Sequence, residues 1–136
     1  MRFFVLILLA GGALAQAPAP ESVGTMSELM LDIIFPVSNE IFYVSRNEKK
    51  TEKDWYDLRQ NALTLAESAN ILMGDNRAKD KDRWMRDAYL LREAGRKAYV
   101  AAKAKDLPAL ESLNDELYEA CQSCHEHYQP GYRRRL

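Results

Sequence analysis

The sequence predicts an all-α protein: an antiparallel up-down-up-down four-helix bundle, folded as a single domain after a signal peptide is cleaved. The chain has 136 residues, which is a suitable length for one domain. Only four residues between Thr51 and Tyr128 are β-branched, and helix-favouring Ala, Leu, Glu, Lys and Arg dominate that stretch. Apolar residues recur every three or four positions in four stretches, as they do along one side of a helix.

Charge and cysteine content argue against two classes of protein. Lys plus Arg number 19 and Asp plus Glu number 20, so the formal net charge is −1. A nucleic-acid-binding protein normally carries a strong basic excess, so we expect no nucleic-acid partner. Two cysteines cannot form the disulfide framework of a small secreted fold.

The first 15 residues have the features of a signal peptide. Arg2 gives a positive start, an apolar stretch follows, and Ala13-Leu14-Ala15 is a small-x-small cleavage signal. The alternative is a retained anchor, but the 13 residues from Phe3 to Ala15 fall short of the roughly 20 needed to span a bilayer. We therefore expect residues 1–15 to be removed, residues 16–24 to form a disordered tether, and the mature protein to be periplasmic without a membrane span.

Helix A is predicted at Met26–Arg46 and begins at a capping box formed by Thr25 and Glu28. Pro36 should kink or split this helix, because proline has no N–H to donate and its ring clashes with the carbonyl of Asp32. The apolar stripe of helix A consists of Met26, Met30, Ile33, Val37, Ile41 and Val44.

Helix B is predicted at Glu52–Met73. Thr51 and Asp54 form a weaker capping pattern at its start, and Gly74 suits the cap at its end. Its apolar stripe consists of Trp55, Leu58, Ala62, Leu65, Ala69 and Leu72.

Helix C is predicted at Lys81–Lys105 and helix D at Leu107–Tyr128. Asp106 suits the N-cap of helix D, and Pro108 is tolerated in its first turn. The stripes consist of Trp84, Ala88, Leu91, Gly95, Ala98 and Ala102 in helix C, and of Leu110, Leu113, Leu117, Cys121, Cys124 and Tyr128 in helix D. Residues 25–130 are thus the predicted helical domain, and residues 131–136 are a basic tail.

Short connections favour antiparallel neighbours in a four-helix bundle. The start of helix A, the end of B, the start of C and the end of D then meet at one end of the bundle. The residues expected to cluster there are Met26, Met30, Leu72, Met73, Trp84, Cys121, Cys124 and His125.

The segment from Cys121 to His125 is a C-x-x-C-H sequence, the attachment signature of c-type haem. Thiols at positions i and i+3 lie on the same side of a helical turn, so both can add to the two vinyl groups along one haem edge. The histidine that follows can place its imidazole under the iron. The sequence therefore predicts one covalent haem c per chain, with Cys121 and Cys124 as thioethers and His125 as the proximal iron ligand.

Three other interpretations of the two cysteines remain open. They could form a disulfide, although a redox C-x-x-C usually opens a helix, whereas this pair lies near a predicted helix end. They could bind zinc with His125 and His127, although four ligands within seven residues of one helix do not easily surround a tetrahedral ion. They could also be plain core residues.

An exported four-helix chain with one C-x-x-C-H near its C-terminus resembles the class II c-type cytochromes, the cytochrome c-prime family and its low-spin relatives. The resemblance covers nearly the whole mature chain in helix number, helix length and motif position. At motif level it rests on Cys121, Cys124, His125 and the aromatic Tyr128. A basic residue commonly follows that aromatic in the family, whereas Gln129 stands here. The resemblance implies a haem in the bundle core at one end, and a homodimer in many members.

The resemblance to the low-spin relatives implies a distal methionine ligand from helix A. Met30 is the first candidate because it lies one turn inside the helix, and Met26 in the first turn is the second. The alternative is that both methionines fill the core. Trp84 and Met73 are candidates to line the haem pocket, or are plain core. His127 lies about 200° around the helix from His125, so we expect it to face solvent.

The functional expectation is an exported monohaem electron carrier that is not an enzyme and exchanges electrons with an unidentified redox partner protein. Arg133–Arg135 either are solvated or attract an acidic partner. One alternative is a five-coordinate haem protein that binds or senses a small gas such as nitric oxide. A second alternative is a haem-free helical interaction module.

Overall fold

A computed structural model of the chain describes residues 21–46, 49–129 and 131. Their regular structure is entirely helical, with no strand in these ranges, as the sequence predicts. The elements are the α-helices α1 (Met26–Glu28), α2 (Phe35–Phe42), α3 (Glu52–Met73), α4 (Arg83–Ala104), α5 (Leu107–Glu111) and α6 (Asn114–Tyr128), with a π-helical segment (Leu29–Ile34) and a 3-10 turn (Val44–Arg46). They form four helical segments, consistent with a helical bundle. The predicted signal peptide and Arg133–Arg135 lie outside the described residues.

Residues 21–24, the described part of the predicted tether, lie against the connection between α3 and α4. Asn76 Nδ2 donates to Ser22 Oγ at 2.9 Å, and Arg77 Nη2 donates to the carbonyl oxygen of Gly24 at 2.9 Å. These bonds hold the start of α1 beside the end of α3. Within the ranges given above, no helix is long and apolar enough to cross a membrane.

The predicted capping signals are confirmed. The Thr25 side chain accepts from the backbone N–H of Glu28 at 3.2 Å, and the Glu28 carboxylate accepts from Thr25 N at 2.7 Å. Thr51 and Asp54 form the same capping box, and α3 has the predicted bounds. Asp106 caps α5 with a single bond, in which its side chain accepts from the backbone N–H of Ala109 at 3.0 Å.

The interruption predicted at Pro36 is present, and it takes the form of the π-helical segment that precedes the proline. The first N–H after this segment donates to the carbonyl of Met30, five residues back. A π-helical turn holds about one residue more than an α-helical turn, so the residues that follow it face a different side of the helix. As a result Leu29 and Ile34 are buried, whereas Ile33 of the predicted stripe is 38% exposed. The prediction of one uniform apolar stripe in helix A is therefore wrong.

Helix D was expected to be continuous, but it consists of α5 and α6 with a turn at Ser112 and Leu113. Ser112 Oγ donates to the carbonyl oxygen of Ala109, three residues back, at 2.8 Å. Such a side-chain bond competes with the regular backbone ladder, and it accompanies the break.

Helix C begins at Arg83 and not at Lys81. The reason is the Asp80 carboxylate, whose Oδ1 accepts from the backbone N–H groups of Asp82 at 2.9 Å and Trp84 at 3.1 Å. The side chain thus supplies partners for the first N–H groups of α4, which lack a carbonyl one turn back.

The stripes predicted for helices B and C form the centre of the apolar core. Trp84 Nε1 donates to the carbonyl oxygen of Leu72 at 2.6 Å, so the first turn of α4 lies beside the last turn of α3. At the other end of these helices, Lys105 Nζ lies 2.7 Å from Glu52 Oε1. The residues of the two stripes that are buried are Leu58, Ala62, Leu65, Ala69, Leu72, Trp84, Ala88, Leu91, Gly95, Ala98 and Ala102.

We predict that Gly95→Ala destabilises the protein by about 1–3 kcal/mol. A Cβ at Gly95 would lie 2.7 Å from the backbone nitrogen of Ala66 and 2.9 Å from its Cα, so α3 and α4 would have to separate. The measurement is the free energy of unfolding in urea. Gly131→Ala is the control, because nothing lies within 4 Å of its Cβ position. Equal unfolding free energies for the two variants would contradict the close contact of the helices.

Candidate functional site

Cys121 and Cys124 lie one turn apart near the end of α6. Both thiols are free and half-buried, and both pack against the apolar core. Burial raises the pKa of each thiol to about 11, and the nearby Asp87 carboxylate adds to this effect at Cys124. Such thiols stay protonated at neutral pH, unlike the reactive thiolate of a redox C-x-x-C site. Their surroundings are therefore those of an apolar site and not of a nucleophilic one.

His125 follows the second cysteine and is half-buried. Burial lowers the pKa of its imidazole, because the charged form is disfavoured away from water. The ring is therefore neutral at neutral pH. Neutral imidazole is the form of histidine that coordinates a metal.

Helix geometry divides α6 into distinct sides. At about 100° per residue, Ser123 and His127 share one flank, and His125 lies on the opposite flank. Cys124 faces the core between them, and Cys121 lies between Cys124 and His125. α6 packs mainly against α4 and touches α2 much less. The side with Cys121 and His125 is therefore the one directed away from α4.

A buried carboxylate holds the flank of α6 that faces α4. Asp87 on α4 is 4% exposed. Its Oδ1 accepts from Ser123 Oγ at 2.8 Å, and its Oδ2 lies 2.8 Å from His127 Nδ1. A carboxylate oxygen accepts, so this His127 nitrogen is the donor. His127 is an exposed residue, as expected, and its ring also bonds to the buried Asp87 carboxylate on the flank opposite His125.

The order of these contacts differs from that of a hydrolytic triad. In a triad the serine bonds to the histidine, and the histidine bonds to the carboxylate. Here Ser123 and His127 both bond to Asp87, so the imidazole is not arranged to accept the serine proton. The arrangement joins two helices through one acceptor.

An aromatic contact closes the end of the bundle next to this carboxylate. The rings of Trp84 and Tyr128 meet edge to face, with centroids 4.8 Å apart. The Tyr128 hydroxyl donates to Asp80 Oδ2 in the connection between α3 and α4. This bond lowers the pKa of Asp80 to about 2, whereas burial, followed by Asp80, raises the pKa of Tyr128 to about 12. The last turn of α6 is thus tied to the first turn of α4 and to the loop before it.

The methionines predicted at the site are half-buried against the same core as the thiols. Met26 is the first residue of α1, and Met30 lies in the π-helical segment. Met73 at the end of α3 is also half-buried, and Trp84 is 3% exposed. Trp84 donates its indole N–H to the backbone, as a buried tryptophan usually does. Trp84 is therefore a core residue of the bundle.

These residues fit the haem group that the motif predicts. Two protonated thiols lie on one turn, a neutral imidazole follows them, and the side that carries Cys121 and His125 is directed away from α4. Half-buried apolar side chains, including Met26 and Met30, pack against the same core cluster as the two thiols. Covalent attachment needs the two thiols, and iron coordination needs the neutral imidazole. No group of three or more His, Cys, Asp or Glu side chains suited to a metal ion occurs among the residues that the structure describes.

The sequence interpretation missed Asp87, Ser123 and Asp80. A signal for Asp87 existed, because it lies three residues after Trp84, within the apolar stripe of helix C. An acidic residue at a position that the helix period assigns to the core needs a partner there. No periodicity identifies that partner, since Ser123 and His127 belong to another helix.

Comparison with known proteins gives no relative for this chain: no family model, no curated protein and no solved structure matches it.

We predict that Tyr128→Phe raises the pKa of Asp80 from about 2 towards its usual 3.8, because the hydroxyl is the main group that lowers it. A carboxylate with a lowered pKa stabilises the folded state above pH 3.8, and this contribution is lost as the pH falls towards 2. The stability difference between wild type and variant should therefore be present at neutral pH and shrink across that range.

The measurement is an NMR titration of the Asp80 carboxyl, with urea unfolding at several pH values. Tyr89→Phe is the control, since the Tyr89 side chain on α4 is 48% exposed. An Asp80 pKa that is the same in wild type and Tyr128→Phe would contradict the bond.

Proposed function

We propose that the mature chain is a periplasmic monohaem c-type cytochrome of the class II kind, which carries single electrons to and from a redox partner protein. We further propose that its helices form an antiparallel up-down-up-down bundle. The observation that carries the proposal is the pair of half-buried thiols one turn apart on α6, followed by a half-buried neutral histidine.

The state of the thiols favours haem attachment over a redox dithiol. A dithiol oxidoreductase lowers the pKa of its reactive thiol with a helix N-terminus or a neighbouring cation. Cys121 and Cys124 instead lie near a helix C-terminus, and burial raises the pKa of both. The nearest charge, Asp87, is negative and disfavours a thiolate further.

The chain's own residues would hold and shield the group. Cys121 and Cys124 would bind it covalently, and His125 would coordinate its iron as the proximal ligand. When bound, the haem supplies the one-electron redox chemistry through its iron. The apolar core beneath Cys124 keeps water from one side of the site, and low solvent access is one of the levers by which a protein sets a redox potential.

Met30 is the residue that we propose as the distal ligand, with Met26 as the second candidate. Met30 lies in the π-helical segment, and π-helical turns occur frequently at functional sites. Its side chain is half-buried against the core, and methionine is flexible enough to adapt its position to a neighbouring group. Met26 has a less fixed position because it opens a three-residue helix.

The optical spectrum of the exported protein tests the proposed function. We predict a low-spin c-type spectrum for wild type, because histidine and methionine together fill both axial positions of the iron. The Cys121→Ala, Cys124→Ala double variant is the control, and it should lose all covalently bound colour after acid and organic extraction. A colourless wild type would contradict the proposal and favour the haem-free interaction module.

Met30→Ala tests the distal ligand. We predict a change from low-spin to high-spin iron and new binding of carbon monoxide, because the sixth position would open. Met85→Ala is the matched control, since Met85 is also half-buried against the core cluster and is not a candidate haem residue. A wild type that is already high-spin and binds carbon monoxide would contradict the methionine ligand and support the gas-binding alternative.

A further inference from the structure

We propose that Asp87 is a positioning residue, whose carboxylate sets the rotation of α6 and thereby holds Cys124 against the core and directs Cys121 and His125 towards the side away from α4. The proposal deepens the proposed function and rests on it for what those three residues do. The fixing of the helix itself stands on contacts that involve none of them.

The first argument is the free-energy cost of burying the Asp87 carboxylate. An acidic side chain that is only 4% exposed is expensive to bury unless it is fully hydrogen-bonded. Both oxygens of Asp87 have a partner at 2.8 Å, and both partners belong to α6. Its burial thus depends on α6 lying in one rotational position.

The second argument is the spacing of the two partners. Ser123 and His127 are four residues apart, so they lie one above the other on a single flank of α6. Two donors on one flank, bonded to the two oxygens of one acceptor, fix both the height and the rotation of the helix. A single bond would leave rotation free, and apolar contacts alone tolerate it more readily because they are not directional.

The third argument is the direction of the opposite flank. His125 lies about 200° from His127 around the helix, and a rotation of one residue step, about 100°, would direct it to the core or to solvent. The Asp87 contacts thus select one of several rotations that the apolar side of α6 could accept.

Other charged residues lie on α4, in the loop before α4 and on α6. Arg83 and Arg86 lie near Asp87 in the sequence of α4, and Asp80 lies in the loop before that helix. On α6 the exposed residues Gln122 and Glu126 bond to each other at 2.7 Å. That pair lies away from Asp87, so it does not compete with Ser123 or His127 for the carboxylate.

The first readout uses the mature chain produced in the cytoplasm, where no haem is attached. We measure the alkylation rates of Cys121 and Cys124 by peptide mass spectrometry. Asp87→Ala should raise the rate at Cys124 at least about tenfold, which corresponds to about 1.4 kcal/mol, because α6 loses both directional bonds. Asp87→Asn should stay near the wild-type rate, since an amide can accept from Ser123 and donate to the other His127 tautomer.

The second readout uses the exported protein. If wild type carries a low-spin haem, Asp87→Ala should raise the rate of carbon monoxide binding by a similar factor, because His125 and the distal ligand would no longer be aligned. Asp87→Asn should restore the wild-type rate. A purely stabilising role of Asp87 would not move this rate at a temperature where the variant is fully folded.

Leu58→Ala is the matched control. Leu58 is buried in α3 at the other end of the core, and its truncation should lower the free energy of unfolding about as much as Asp87→Ala does. If Asp87→Ala fails to fold, Ser123→Ala removes one of the two bonds and should give a smaller change in the same direction. Identical behaviour of the Asp87 or Ser123 variants and Leu58→Ala in both readouts would overturn the proposal. A wild type without haem would overturn the proposed function, while the alkylation rates would still decide the role of Asp87.

Discussion

The contact between α6 and α4 is the constraint on which the candidate site depends. One flank of α6 is bonded to the buried carboxylate of Asp87, and the opposite flank carries His125. A helix is stiff, so a bond that fixes one flank also fixes the direction of the other. The ring contact of Trp84 with Tyr128 secures the same helix at its end. The motif therefore has a defined direction that contacts outside it help to set.

The sequence predicted the helix bounds best where one regular apolar stripe faces the core without an interruption. α3 has the predicted bounds because a capping box begins it and a regular apolar stripe faces the core along its length. Helix A differs because Pro36 cannot donate a hydrogen bond, and the chain absorbs the defect as a π-helical segment that changes which residues are buried. The break in helix D follows a local bond of Ser112, which a search for periodicity does not detect.

The motif could be found from sequence because its spacing is local, but its supports could not. Cys121 and Cys124 are three residues apart, whereas Asp87 lies 36 residues from Ser123. Only the packing of two helices brings such partners together. His127 shows the same limit: its angle from His125 places it on the opposite flank, but the angle alone does not reveal the bond that this exposed side chain makes to the buried carboxylate of Asp87.

The central claim is that Cys121 and Cys124 carry a haem group. The most direct measurement is mass spectrometry of the peptide that contains both residues, taken from mature protein purified from a periplasm with c-type maturation machinery. Our account predicts a peptide heavier by one haem, with no thiol left for alkylation. A peptide of unmodified mass, with both cysteines open to alkylation after unfolding, would contradict it.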